Sequence, residues 1–218
     1  HTSFSGFRVL YRPHGSAAPV EILRFQGRSY VRAQGNGHTP GLAARALAVN
    51  PAQPGKEEFP RFTEFWLDRP AATDRRLRLL ALLDAPSITG AYAFEVVPGR
   101  SLHMQVHAVV HTRRPGADLG LAPLRSMYLQ GDLGTRVFDP LRGEVHDSDS
   151  LTVQQADGGW VHRPLRNPPE PLVHSFAAPR PRGFGLCQRD RDEDHYAAPE
   201  HRYGSRPCAW VSPRGDWP

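Results

Sequence analysis

Lysine is almost missing from this 218-residue chain: Lys56 stands alone among 27 basic residues, and the rest are arginine. A formal charge of +5 carried by arginine invites a nucleic-acid reading, but proteins of that kind gather their basic residues on one face or one helix. Here the arginines are spread along the chain and alternate with acids, so they read as surface charge and salt bridges, and no nucleic-acid partner is expected. Cysteine is nearly as scarce. Cys187 and Cys208 lack Cys-x-x-Cys spacing and fall in separate predicted strands. A disulfide is permitted in an oxidising compartment, yet unpaired, packed thiols are the expectation, and neither reads as a nucleophile. No apolar run approaches the roughly 20 residues that cross a bilayer, so no membrane insertion is expected. His1 opens the sequence without a charged and then apolar segment of secretory type. Neither Gly35-Asn36-Gly37 nor the glycines near Gly183 match a phosphate cradle, and no cofactor is expected.

What is present has a period of two. Leu102, Met104, Val106, Ala108 and Val110 alternate with His103, Gln105, His107 and His111, the pattern of a strand with one buried side. Further strands are predicted over 7–11, 21–25, 28–33, 42–49, 59–69, 76–84, 89–97, 121–129, 151–155, 160–163, 172–177, 183–188 and 208–212. Pro98-Gly99, Pro115-Gly116 and Gly158-Gly159 punctuate them. The 22 prolines argue against long helices. Many short strands joined by turns give an all-β fold, a large antiparallel β-sandwich. Residues 131–144 and 189–207 read as loops, and charged loops on a rigid sandwich are where function usually sits.

Two blocks concentrate the chemistry: Glu144-Val145-His146-Asp147-Ser148-Asp149, and Gln188-Arg189-Asp190-Arg191-Asp192-Glu193-Asp194-His195-Tyr196. Carboxylates interleaved with arginine and aromatic rings suit a carbohydrate, whose hydroxyls meet charged groups and whose C–H faces meet rings. The alternative is a solvated charge run that closes ion pairs between neighbouring loops. If the first block is extended, Asp147 and Asp149 face the same way. Eleven histidines raise the question of a metal. His103, His107 and His111 recur every four residues of one strand, about 13 Å apart at ~3.3 Å per residue, and cannot share an ion. His146 and His195 flank acids but lack a zinc spacing, so hydrogen-bonding roles are favoured and no metal is expected. Trp66 and Trp210 read as core. Trp160, Tyr196 and Tyr203 remain candidates for stacking on sugar rings.

A resemblance spans nearly the whole chain. It is carried by Phe59-Pro60-Arg61-Phe62-Thr63-Glu64-Phe65-Trp66, the Ala-Leu-Leu-Asp-Ala-Pro-Ser-Ile-Thr-Gly-Ala-Tyr run over 81–92, His146-Asp147-Ser148-Asp149, and Trp160 with Arg163-Pro164-Leu165. Gly183-Phe184-Gly185-Leu186, Gln188-Arg189-Asp190-Arg191, and Arg206-Pro207 through Gly215-Asp216-Trp217 complete it. In order and spacing these segments resemble the periplasmic glucan biosynthesis protein G/D family, whose members act on osmoregulated periplasmic glucans. Ser150 stands where the family pattern has glycine, Arg142-Gly143-Glu144 where it has Arg-Pro-Glu, and Glu193 where it is usually aromatic.

The resemblance implies a galactose mutarotase-like sandwich, with residues 1–218 as part of one glucan-biosynthesis domain in the periplasm. It implies a backbone of β-1,2-linked glucose as partner, and an inverting glucanase or a glucan-modifying enzyme as the activity. Asp147 matches the general base. His146, Asp149, Arg189, Asp190, Arg191, Tyr196, Tyr203 and Trp160 would bind substrate. The export signal, the general acid and a C-terminal immunoglobulin-like domain are expected outside these residues, which would leave the 218 residues inactive alone. A non-catalytic glucan-binding protein and a mutarotase-like enzyme with a His and Glu pair are the other readings. Far-UV circular dichroism is expected to show β structure with helix well under about a third of residues, and a spectrum at or above that level would overturn the architecture.

Overall fold

A computed structural model describes residues 6–13, 15–71, 73–133, 143–215 and 217. Most of the loop expected over 131–144, including Arg142, lies outside the described residues, as does Asp216. The chain is all-β, and its only described helices are three single 3-10 turns. Among the described residues no helix is long and apolar enough to cross a membrane. Two compact units divide it: His1–Gly37 with Ala43–Pro123, and His38–Leu42 with Leu124–Pro218.

The first unit carries β1 (Gly6–Tyr11), β2 (Val20–Gln26), β3 (Tyr30–Ala33), β4 (Ala43–Arg45), β5 (Leu47–Val49), β6 (Arg61–Leu67), β7 (Leu77–Asp84), β8 (Ile88–Val97), β9 (His103–Thr112) and β10 (Leu119–Leu121). Strands β1 to β4 pair antiparallel in sequence order. Strands β6 to β9 form a second antiparallel sheet. Period two explains which faces meet. Leu79, Ala81 and Leu83 of β7 and Ile88, Tyr92, Phe94 and Val96 of β8 are buried and pack with Leu23, Phe25 and Val31 of the first sheet. At the centre Phe25 contacts Phe7 at 5.1 Å, Phe65 at 5.0 Å and Phe94 at 5.2 Å between ring centroids. A register shift in β6 between Phe62 and Glu64 is the kind of bulge that re-aims side chains. It lets Phe62 and Phe65, an odd number of residues apart, both reach Phe25.

The structure departs from the sequence expectation at several strands. The segment over 42–49 is broken at Ala46, whose amide turns to the Ser29 carbonyl at 3.0 Å, after which β5 pairs with β10 instead. The alternation read in β9 is right in phase, but β9 lies at the edge of its sheet, so Met104 and Val110 are only half-buried and Val106 is exposed. Trp66, read as core, is on the exposed side of β6. The strand expected over 121–129 is interrupted at Ala122, which has φ of 44°, and at Pro123, which has no amide to give to a ladder.

The second unit holds β11 (Leu124–Arg125), β12 (Tyr128–Gln130), β13 (Val145–His146), β14 (Ser150–Gln154), β15 (Trp160–Pro164), β16 (Gly183–Cys187) and β17 (Ala209–Val211). Its main sheet has the order β15-β14-β16-β17, and β12 pairs with β13. The strand expected over 172–177 does not form. Leu172 and Val173 are 62% and 68% exposed, and prolines at 168, 169, 171, 179 and 181 strip the segment of ladder donors. Because Phe25 sits at the meeting point of both sheets of the first unit, Phe25→Ala is expected to cost about 3–5 kcal/mol of stability. Urea unfolding followed by fluorescence checks this, and a loss under about 1 kcal/mol would mean the two sheets do not rely on that ring.

Candidate functional site

The site is built where β16 runs out. Beyond Cys187, Gln188 turns its carboxamide into a buried hub. Its Oε1 faces His146 Nδ1 at 2.8 Å. Its Nε2 donates to the Tyr196 hydroxyl at 2.6 Å and to the Tyr203 carbonyl at 3.0 Å, and Tyr196 in turn donates to the Asp190 carbonyl at 3.1 Å. The other ring nitrogen of His146 faces Glu144 Oε2 at 2.6 Å. His146 is fully buried, between the stacked ring of Tyr128 at 5.5 Å and the edge-on ring of Tyr196 at 5.2 Å. Polar groups are tolerated at such depth only when hydrogen-bonded, and this hub meets that demand from three separate segments.

Around the hub the two charged blocks take up ordered positions. The backbone bends at Asp147 and again at Asp149, so the two carboxylates do not share one extended face but find separate partners. Asp147 accepts a hydrogen bond from Arg206 Nη1. The guanidinium of Arg206 lies over the Tyr203 ring at 4.3 Å, and Gly41 closes against its stem, where a Cβ would stand 2.9 Å from Arg206 Cδ. Asp149 is buried, accepting from Ser150 Oγ at 2.8 Å and from the Arg189 amide at 3.1 Å. The Arg189 side chain reaches Asp132, which together with Asp149 and Asp190 raises its pKa.

Asp190 accepts from the Asp192 amide at 2.9 Å and faces His195 Nδ1 at 2.7 Å. Burial works against its ionisation, but the Asp192 amide, the His195 ring and Arg189 outweigh it, and its pKa is lowered. The hydrogen bond to Asp190, then its charge, raises that of His195. Arg191 serves the loop itself, donating to the carbonyls of Gly204 and Arg206 and to Cys208 Sγ.

The structure thus gathers His146, Asp147, Asp149, Arg189, Asp190, Arg191, Tyr196 and Tyr203 into one neighbourhood, but in unequal roles. Tyr196 and Tyr203 are buried and stacked on each other at 5.4 Å, so protein covers the ring faces that the sequence suggested for sugar. Burial, followed by the surrounding carboxylates, pushes the Tyr196 hydroxyl well above the usual tyrosine range.

Trp160 is elsewhere. Directly opposed residues of antiparallel strands share a face, and Trp160 opposes Gln154, which opposes Gly183. Four residues, or about 13 Å, separate that end of β14 from Ser150. Beside Trp160, 59% exposed, stands Trp210, 41% exposed, with ring centroids 5.7 Å apart. Trp210 lies flat on β16: a Cβ at Gly183 would come within 2.5 Å of its ring, and one at Gly185 within 2.7 Å. The core role expected of Trp210 is therefore replaced by an open aromatic surface.

Sequence reasoning missed Arg206, Gln188 and Glu144 as functional side chains. Gln188 heads the Gln-Arg-Asp-Arg run and Glu144 opens the first acidic block, so both carried a signal. Arg206 carried none beyond its place in the terminal motif. The departures from the family pattern are absorbed locally. Ser150 bonds Asp149, and Glu193 accepts the Gly204 amide at 3.1 Å. Gly143 lies against the backbone of Tyr196 and Ala197, where a Cβ would be 2.6 Å away. Among the described residues no group of three or more His, Cys, Asp or Glu side chains is placed to hold a metal ion.

Compared with models of protein families, the chain matches the one described as periplasmic glucan biosynthesis protein, MdoG, over residues 1–218.

The His195–Asp190 pair has a defined pH window. The raised histidine contributes stability that is complete below its unfolded value of about 6.5 and is lost as pH rises through the folded value. The lowered carboxylate contributes above its unfolded value of about 3.9 and is lost as pH falls through the folded one. An NMR titration of the His195 ring is expected to show a midpoint above about 6.5 that returns toward it in Asp190→Asn, and an unchanged midpoint in that variant would break the pairing.

Proposed function

The chain belongs to the MdoG family of periplasmic glucan biosynthesis proteins, and from that premise we propose that it acts on β-1,2-linked glucan laid along β14 and β16. The observation that carries this reading is the Trp160–Trp210 surface at one end of those strands, with the Asp147 and Asp149 network at the other. Aromatic rings take the apolar faces of sugars, and charged groups take their hydroxyls. The roughly 13 Å between the two ends leaves room for more than one sugar ring.

In this reading Asp147 is the water-activating base of an inverting hydrolysis. Arg206 orients the carboxylate, and a glucan hydroxyl that competes for the guanidinium frees Asp147 to accept a proton. His146, Glu144 and Gln188 do not touch substrate. They fix the backbone from which Asp147 and Asp149 project. Inversion needs a second carboxylate roughly 6.5–9.5 Å away across the scissile bond. Glu144, Asp149 and Asp190 are each engaged in internal hydrogen bonds, and none of them is assigned that role. The same closure of Asp147 by Arg206 favours a second reading, a protein that binds the glucan backbone during assembly without cutting it.

Calorimetric titration with linear β-1,2-, β-1,3- and β-1,4-glucans tests recognition, and affinity is expected only for the first, since linkage decides where successive hydroxyls point. Trp160→Ala is expected to weaken binding about 2- to 10-fold, the effect of losing ~0.5–1.5 kcal/mol from one stacked ring. Equal affinity for all three glucans would discard the substrate assignment. Where the protein releases reducing ends, Asp147→Asn should retain binding and lower the rate by about 10²–10⁴-fold. A rate within a few-fold of the parent would remove Asp147 as base, and binding with no release in the parent would leave the binding reading standing.

A further inference from the structure

β16 and β17 pair antiparallel, with Leu186 opposite Ala209. One residue further the same register sets Cys187 against Cys208. Opposed residues in such a ladder have Cα atoms about 4.5–5.5 Å apart, inside the ~4.4–6.8 Å that a disulfide spans. Both are free thiols, Cys187 half-buried and Cys208 exposed. Two donors converge on Cys208 Sγ: the Gln188 amide at 3.3 Å and Arg191 Nη2 at 3.3 Å. A sulfur that is open to solvent and ringed by donors beside a cation is the environment of a reactive thiolate.

We propose that Cys187 and Cys208 are a reversible redox pair, with exposed Cys208 as the attacking thiolate and half-buried Cys187 as the resolving thiol. Both thiols are unpaired, as the sequence led one to expect; the proposal departs from that expectation only in giving them reactivity, and it stands apart from the glucan reading. The titration of the two groups agrees with the geometry. The hydrogen bond from Cys187, then the Gln188 amide and Arg191, outweigh burial and bring the Cys208 pKa down to about 6. Cys187 keeps its proton for the same reason: its hydrogen bond to Cys208, then burial, push it well above the usual thiol range.

The chemistry closes in two exchanges with a disulfide oxidant, small-molecule or protein. The Cys208 thiolate attacks one sulfur of the oxidant, the oxidant's S–S bond breaks, and one thiolate leaves. Cys208 Sγ is then neutral, so Cys187 loses the anion that held its proton, gives that proton to the departing thiolate, and attacks Cys208 Sγ. The second oxidant thiolate leaves and takes a proton from solvent. Two electrons pass from the pair to the oxidant, which ends as two thiols. The periplasm, the compartment of this family, is oxidising and supplies such partners.

Oxidation would reach the acidic network, because Arg191, which faces the Cys208 sulfur, also holds the carbonyls of Gly204 and Arg206. The test uses the full chain in oxidised glutathione, followed by intact-mass analysis and peptide mapping without reduction. The expected product has lost two hydrogens, carries no glutathione and maps to a Cys187–Cys208 cross-link. Cys187→Ser is expected to trap a stable glutathione adduct on Cys208, and Cys208→Ser to take up none. Iodoacetamide labelling of Cys208 should titrate with a midpoint near about 6, and in Cys187→Ala it should move up toward about 8.5. A persistent adduct on Cys208 in the parent, a cross-link only between chains, or a midpoint near about 8.5 in the parent would overturn the pair. Mapping of the parent decides the matter even where a variant fails to fold.

Discussion

The carboxamide of Gln188 reaches the side chains of His146 and Tyr196 and the backbone of Tyr203 at once, and the order of both acidic loops depends on it. A carboxamide is the one uncharged side chain that presents an acceptor and two donors on a rigid plane. That lets it satisfy a ring nitrogen, a hydroxyl and a carbonyl together without bringing in another charge. Networks of this kind are demanding in a low dielectric, since a fully satisfied one is rigid and a half-satisfied one is costly. The burial of Glu144 and of the continuous run His146, Asp147, Ser148, Asp149 and Ser150 is possible because the far end of the network is closed.

The two units are therefore stabilised by different physics. In the first, aromatic and aliphatic side chains from two sheets exclude water, an attraction without direction that accepts a bulge in β6 or a break after β4. In the second, short strands and loops are set by hydrogen bonds with fixed geometry. Loops held that way can position charges for recognition, which a greasy interior cannot do.

That contrast also explains what was legible beforehand. The strands of the first unit follow from alternation, because apolar residues on every second position have only one face to bury, as in β7 and β8. Leu172, Val173 and Phe176 misled for the opposite reason: they look like a strand, but the prolines around them leave no ladder to join. The two charged blocks and their proximity were readable from composition and family resemblance. The direction of each side chain was not. Nothing in a one-dimensional pattern says that Tyr196 and Tyr203 turn inward while Trp160 and Trp210 stay in solvent, or that Arg206, some sixty positions downstream, caps Asp147. Those outcomes rest on long-range register and on hydrogen-bond closure, neither of which leaves a period in the sequence.

The seat of Trp210 on Gly183 and Gly185 has a historical consequence. While the indole is in place, any side chain on either glycine collides with it, so selection holds both positions bare without acting on them directly. Should the indole be lost, the constraint on Gly183 lifts and that position is free to drift, whereas Gly185 stays bare because a Cβ there would also stand 2.3 Å from the Ala209 carbonyl oxygen. Once a side chain has grown into the vacated space, regaining tryptophan at 210 would require two or more simultaneous reversals. A lineage that gives up this surface is thereby barred from returning by single steps, and Gly183 and Trp210 are inherited as one character.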